Sequence, residues 1–318
     1  MNKLLSVVIP AFNEENIIQD TINTLSKVLY DAGIPFELIF VDDGSIDKTW
    51  DILSKNSQQY DYVKAISFSR NFGKESAIFA GLKYAVGDCC VVMDCDLQHP
   101  PKCVVEMYKI WLNNDIDIIE GKKSNRGKEF FPYKLCAKLF YKILRATSGI
   151  NLENASDFKL LDRKVVDTIK DMPERQTFFR AMSGWVGFKT TQIFYDVPQR
   201  NSSKSKWTFK SLSKFAVNSL TSYTTVPMYI VLFFGAAFFI FASALAVLAL
   251  YQKIAGIAVE GFTTVIILLL IIGSIIMFSL GIIGIYLSKI YEEVKYRPKY
   301  IIRDKAGCDE KERVNIGS

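Results

Sequence analysis

The sequence predicts an α/β protein: an open sheet flanked by helices, followed by a two-helix transmembrane hairpin. Two observations carry this expectation. Strand and helix signals alternate from Ser6 to Asp96, the rhythm of an open, mainly parallel sheet. Two long apolar stretches then lie towards the C-terminus, one within the charge-free run from Lys214 to Lys253 and one bracketed by Glu260 and Lys289.

The elements follow in order. SVVIPAF (Ser6 to Phe12) is a short apolar run broken by Pro10, and Glu14 to Leu29 has helical spacing. FELIFVDD (Phe36 to Asp43) is a buried-type strand ending in acids. A helix from Asp47 to Gln59, the strand VKAISFS, a helix from Lys74 to Ala85 and the strand CCVVMDCD (Cys89 to Asp96) complete the pattern. Polar residues gather where strands end, which is where such sheets bind ligands. Phe130 to Thr147 places Lys134, Lys138, Lys142 and Arg145 beside an apolar face, as in a basic helix lying on a bilayer; Trp207 to Tyr223 behaves similarly. Pro227 to Tyr251 and Gly261 to Ser288 are each long enough, at about 1.5 Å per residue, to cross a hydrocarbon layer of ~30 Å. Lysines and arginines flank the pair on the outside, whereas the connecting loop offers only Lys253, so both ends are expected in the cytoplasm. The expected division is a cytoplasmic domain at 1–205, a juxtamembrane amphipathic helix at 206–225, spans at 226–251 and 261–288, and a basic tail at 289–318. The tail after about Arg303 is polar and reads as disordered.

Composition narrows the function classes. The chain has 318 residues, 50% hydrophobic and 23% charged, which excludes a disordered chain, a collagen and a coiled coil. Mean hydropathy is +0.16, with the excess concentrated in the C-terminal part. A net charge of +6 suits anionic lipid or phosphate but is too weak and scattered for nucleic acid. Six cysteines show no CxxC pairing and read as reduced and buried. The opening MNKLLSVVIPAFNEE turns polar too soon for a secretory signal.

The chemistry gathers at strand ends. In MDCDLQHPP, Asp94 and Asp96 follow an apolar strand where the chain turns, so both carboxylates can converge on Mg2+ or Mn2+ as a pyrophosphate clamp, with Gln98 a further oxygen donor. His99 is the lone histidine, which excludes a multi-imidazole metal site, and it reads as a structural turn residue. Asn13 and Glu14 after Pro10 and Ala11, and Asp42 and Asp43 before Gly44, suit hydrogen bonds to a base and a ribose. Lys74, at a helix start in SRNFGKESA, can hold phosphate. Neither GxGxxG nor GxxxxGK[ST] occurs, which counts against a dinucleotide redox enzyme and an NTPase.

Assembled, PAFNEEN, VDDGSIDKT, SRNFGKESAIFAGLKYAVGD, MDCDLQHPP, ASDFKLLDRKVVD, ERQTFFRAMSGWVGF, RNSSKSKW and the paired apolar segments resemble, in order, the inverting family-2 glycosyltransferases of GT-A type. The likeness is to those acting on polyprenyl phosphate, such as bactoprenol glucosyltransferases and dolichyl-phosphate mannose synthase. The resemblance implies a GT-A type, Rossmann-like open mixed sheet with amphipathic interface helices. It implies that Asp42 or Asp43, with Pro10, Ala11, Phe12, Asn13 and Glu14, holds the nucleoside, and that Lys74 and Asp94 also meet the donor. Asp94, Asp96 and Gln98 would hold Mg2+ or Mn2+. Asp157 matches the position proposed as catalytic base. Arg200 and Lys206 match residues facing the phosphates, and Arg126 and Lys134 fall where the lipid phosphate docks. Ser203 departs from the usual glycine, and no QxxRW signature of processive synthases occurs, which favours a single transfer.

The expected activity is transfer of one sugar, best guess glucose from UDP-glucose with mannose, N-acetylglucosamine and aminoarabinose derivatives open, to undecaprenyl phosphate or a dolichyl equivalent at the cytoplasmic face of a bacterial inner membrane. The product would be a lipid-linked sugar donor for cell-envelope or O-antigen glycosylation. The expected partners are a nucleotide sugar, polyprenyl phosphate and the membrane, without nucleic acid and with a homo-oligomer left open. A lipid monophosphate has a second pKa near ~6, so it needs little proton removal and Asp157 need only orient it. Two rivals stand: a non-catalytic membrane adapter retaining the fold, and a glycolipid synthase acting on a hydroxyl, which requires a true base.

Overall fold

A computed structural model describes residues 3–124, 156–172, 174, 178–196, 226–256 and 261–308. The expected amphipathic stretches at 130–147 and 207–223 lie outside the described residues, as do Arg126, Lys134, Arg200, Ser203 and Lys206. Two compact units are distinguished, one carrying the sheet and the other the two long apolar helices.

In the first unit the elements are β1 (Leu5–Ala11), α1 (Ile18–Asp31), β2 (Phe36–Asp42), α2 (Thr49–Gln59), β3 (Val63–Phe68), α3 (Lys74–Tyr84), β4 (Cys89–Val92) and α4 (Pro101–Asn113). These are followed by β5 (Ile118–Lys123), β6 (Lys159–Asp162), α5 (Arg163–Lys170), α6 (Phe179–Trp185) and β7 (Thr190–Tyr195). The last strand, β8 (Ile302–Ala306), comes after the long helices in sequence. All eight strands form one sheet in the order β7-β5-β6-β4-β1-β2-β3-β8. The β1, β2, β3 and β4 strands run parallel, while β6 and β8 enter antiparallel, so the sheet is mixed.

The central strands are apolar on both sides because both faces are covered. Val7 and Ile9 of β1 face the layer of α1, α2 and α4, whereas Val8 faces α3, α5 and α6. Helix α1 buries Ile18, Ile22, Leu25 and Leu29 at helical spacing. Each such side chain contributes about 1.5–3 kcal/mol of transfer free energy. The five described cysteines are free thiols, and four of them are buried in this core.

The sheet opens where the strands run out of register. Pairing of β1 with β4 ends at Val8–Val92, but pairing with β2 continues to Ala11–Asp42. Pro10 lies beyond the β4 ladder, where its missing N–H costs no bond on that side. A crevice therefore forms between the carboxyl ends of β1 and β4, at the point where the strand order reverses.

In the second unit, α7 (Val226–Ile254) and α8 (Phe262–Val294) exceed the expected spans by a few residues. Among the described residues, Ile271–Val294 is long and apolar enough to cross a membrane, and Val231–Leu245 is a shorter apolar stretch.

One expectation is corrected. The tail is not disordered at 302–306: Ala65, Ile66, Ser67 and Phe68 of β3 pair with Ala306, Lys305, Asp304 and Ile302 of β8. Backbone pairing along an open sheet edge orders this charged segment, which needs only one partner strand and little apolar burial.

Candidate functional site

The crevice holds a cavity of about 410 Å³ whose walls come from four strand ends. Pro10, Ala11, Phe12 and Glu14 follow β1; Asp43 follows β2; Asn71, Gly73 and Lys74 lie between β3 and α3; Asp94, Cys95 and Asp96 follow β4. Phe12 is 44% exposed, an aromatic face left open at the mouth.

Two loops shape this wall by binding each other. Asp43 accepts the N–H of Phe72 at 2.6 Å and that of Gly73 at 2.9 Å, which fixes the turn into α3. Burial pushes the Asp43 carboxyl up, and the two N–H donors oppose that shift. Gly44 has φ +69, and a Cβ there would stand 2.4 Å from the Arg70 carbonyl carbon, so only glycine lets the loops approach. Asp42 is buried and faces inwards: it accepts Ser45 N–H at 2.9 Å and Ser67 O–H at 2.8 Å. Asn13 (φ 55) is exposed and braces the same turn, its side chain accepting Ile46 N–H at 3.0 Å. Of the residues expected to hold a nucleoside, Asp43, Pro10, Ala11, Phe12 and Glu14 line the cavity; Asp42 and Asn13 stand behind it.

Asp94 and Asp96 form the wall that follows β4. The Asp94 N–H donates to His99 Nδ1 at 3.2 Å, and the His99 ring stacks on Phe158 with centroids 4.5 Å apart, so the turn is anchored to the strand start beside Asp157. Gln98 donates its backbone N–H to Asp96 Oδ1 at 3.1 Å and does not line the cavity. Among the described residues no group of three or more His, Cys, Asp or Glu could hold a metal ion. Two carboxylates on one wall still fit Mg2+ or Mn2+, which bind through one or two carboxylates and take substrate phosphates and water for the rest.

Lys74 joins this wall to a buried acid. Its Nζ lies 2.5 Å from Asp94 Oδ1 and 2.9 Å from Asp157 Oδ2. Asp157 is 5% exposed and also accepts a fork from Arg180, Nε to Oδ1 at 2.7 Å and Nη2 to Oδ2 at 2.8 Å. Burial alone would raise the Asp157 carboxyl, but Arg180 and Lys74 outweigh it and hold it well below the usual carboxylate range. Burial would lower Lys74, and the carboxylates of Asp94 and Asp157 more than reverse this. Glu75, one residue on, is pushed up to about 7 by burial, against the pull of the Phe179 N–H it accepts at 2.7 Å. Arg180 and Glu75 were not found in the sequence, because a single charge in a helix has no spacing that marks it. Lys74, Asp94 and Asp157, far apart in the chain, form one charged chain here.

Residues 6–170 match the family described as glycosyl transferase family 2. An uncharacterized glycosyltransferase of Synechocystis sp. is 36% identical over 307 residues, covering 96% of this chain and 96% of that protein. The prophage bactoprenol glucosyl transferase homolog of Escherichia coli is 35% identical over 304 residues, covering 94% and 98%. Among solved structures, glucosyl-3-phosphoglycerate synthase from Mycobacterium tuberculosis, in complex with Mn2+, UDP and glucosyl-3-phosphoglycerate, is 25% identical. Its TM-score is 0.49 over 70% of this chain and 80% of that one.

Proposed function

The chain belongs to glycosyl transferase family 2, and from that premise we propose that it transfers one glucosyl unit from UDP-glucose to a polyprenyl phosphate, with inversion. The carrying observation is that Phe12, Glu14 and Asp43 line one cavity together with Lys74, Asp94 and Asp96. The first group suits a nucleoside and the second its diphosphate. The relative named as a bactoprenol glucosyl transferase homolog supports the sugar and the acceptor class.

A divalent cation held by Asp94 and Asp96 would neutralise charge on the departing diphosphate. The chain's own cations complete that task. Lys74 already bridges Asp94 and Asp157, so its ammonium is placed beside the diphosphate wall. Asp157 locks Lys74 and Arg180 in position and stays ionised. A carboxylate so held is a poor proton acceptor, which disfavours a hydroxyl acceptor and favours a phosphate that is already largely a dianion at neutral pH. Arg126, Lys134, Arg200 and Lys206 are proposed to meet phosphate groups on the strength of the family resemblance.

The connectivity supports a paired crossing of the membrane. Strands β7 and β8 lie before and after α7 and α8 in sequence, yet both belong to one sheet. A chain that crossed a bilayer once between them could not return, so we place α7 and α8 as a pair of crossings with the sheet on the cytoplasmic side.

The test supplies membranes carrying the protein with radiolabelled UDP-glucose and undecaprenyl phosphate and counts label in the solvent-extracted lipid. Label is expected, lost on chelation, regained with Mg2+ or Mn2+, and lost in Asp96→Ala with membrane insertion retained. Labelled lipid from Asp96→Ala at the wild-type rate would remove the metal assignment. A panel of other nucleotide sugars labelling lipid while UDP-glucose does not would replace the donor.

A further inference from the structure

The strand made after α8 reaches the donor cavity by two routes. The first is a run of rings. Ser69 donates its N–H to the carbonyl of Ile301 at 2.9 Å, and the Tyr300 ring stacks on Phe68 with centroids 4.9 Å apart and an interplanar angle of 11°. Phe68 meets Phe72 edge-on at 5.8 Å, and Phe72 gives its N–H to Asp43. The second is a run of hydrogen bonds. Arg303 Nη2 donates to Ser67 Oγ at 3.0 Å, Ser67 donates to Asp42 Oδ2 at 2.8 Å, and Asp42 Oδ1 accepts Ser45 N–H at 2.9 Å. Ser45 Oγ in turn accepts Asn13 N–H at 2.9 Å. Both routes end on the loops that present Phe12, Glu14, Asp43 and Gly73 to the cavity.

The partners along the second route leave little slack. Ser67 and Asp42 are 0% exposed, so neither can replace a lost partner with bulk water. Arg303 is the charged donor at the head of this run, and its side chain is 46% exposed. Tyr300 supplies the outermost ring of the other run.

We infer that the segment Tyr300–Ala306 is a positioning element of the nucleotide cavity, with Tyr300 and Arg303 its positioning residues. The inference rests on the donor reading given above. It makes the charged tail a working part of the donor half of the enzyme.

The test uses the full chain in detergent with Arg303→Ala, Arg303→Lys, Tyr300→Leu and Tyr300→Phe. UDP affinity, the KM for UDP-glucose, kcat and amide hydrogen exchange are measured. Arg303→Ala and Tyr300→Leu should each weaken UDP binding and raise donor KM about 3- to 10-fold, the worth of one hydrogen bond for the first and of one ring pair for the second. Acceptor KM should not move, and kcat should change less than donor KM. Exchange should quicken at 42–46 and 69–73 but not in α4 or β5. Tyr300→Phe, which keeps the ring, should restore UDP affinity, and Arg303→Lys should recover part of it. Unchanged UDP affinity with unchanged exchange at both loops overturns the inference. So does exchange quickened evenly over the sheet, the mark of a strand that only adds stability. Should Tyr300→Leu not fold, Arg303→Ala decides. Wild-type protein that binds no UDP would sink the donor reading instead, and loop exchange alone would then decide whether the tail holds these loops.

Discussion

Asp157 is held ionised by two cations, Lys74 and Arg180, and on the proposed reading it orients charge rather than taking up a proton. Asp157→Asn keeps the shape but takes from Arg180 the carboxylate it forks onto and leaves Lys74 with Asp94 alone, and turnover should fall about 100-fold or more. The rate should still rise through the acceptor's own titration near ~6. A variant whose rate no longer depended on pH would restore the base. The stability consequence has the matching sign. The folded value of Asp157 lies below its unfolded one, so its ion pairs stabilise fully above about pH 4 and are lost only as pH falls through the depressed value. The thermal deficit of Asp157→Asn should therefore be as large at pH 5 as at pH 7. Glu75 runs the other way. Its folded value is raised to about 7, so the fold loses stability as pH rises towards that value and carries a constant deficit above it. Glu75→Gln keeps an acceptor for the Phe179 N–H and should raise the melting temperature at pH 8 while leaving it unchanged at pH 4; equal gains at both would show that charge is not the cause.

At the level of elements, the loops between β2 and α2 and between β3 and α3 act as one piece. Gly44→Ala sets a Cβ against the Arg70 backbone, which cannot swing aside as a side chain would. It should cost at least ~2 kcal/mol and abolish UDP binding, as read by melting and calorimetry. Retained binding would mean that the two loops can part. These loops were legible because Asp42, Asp43, Asp94 and Asp96 each close an apolar run, and such an edge between patterns is visible without coordinates. The division of labour between Asp42 and Asp43 was not, since alternate residues of a strand face opposite ways and only the end of pairing decides which one meets the crevice. Strand β8 was missed because IRDKA has three charges in five residues. Its order comes from pairing with β3, which hydropathy does not record. Arg180 and Glu75 escaped because their partners lie on other elements, joined to them only by the fold.

For the whole molecule, the test of paired crossings is direct. Reporters fused at either end should be active only in the cytoplasm, and one inserted in the loop at 255–260 only on the far side of the membrane. Reporters placing the two ends on opposite sides would contradict the shared sheet. The same strand order also bears on how the protein is made. A ribosome must finish both greasy helices before β3 receives its outer neighbour, so the nascent sheet waits with a bare, pairing-competent edge. Translation that stops after α8 would leave that edge open for good, and cellular quality control would meet a body bearing most of its chemistry and lacking only its final hem.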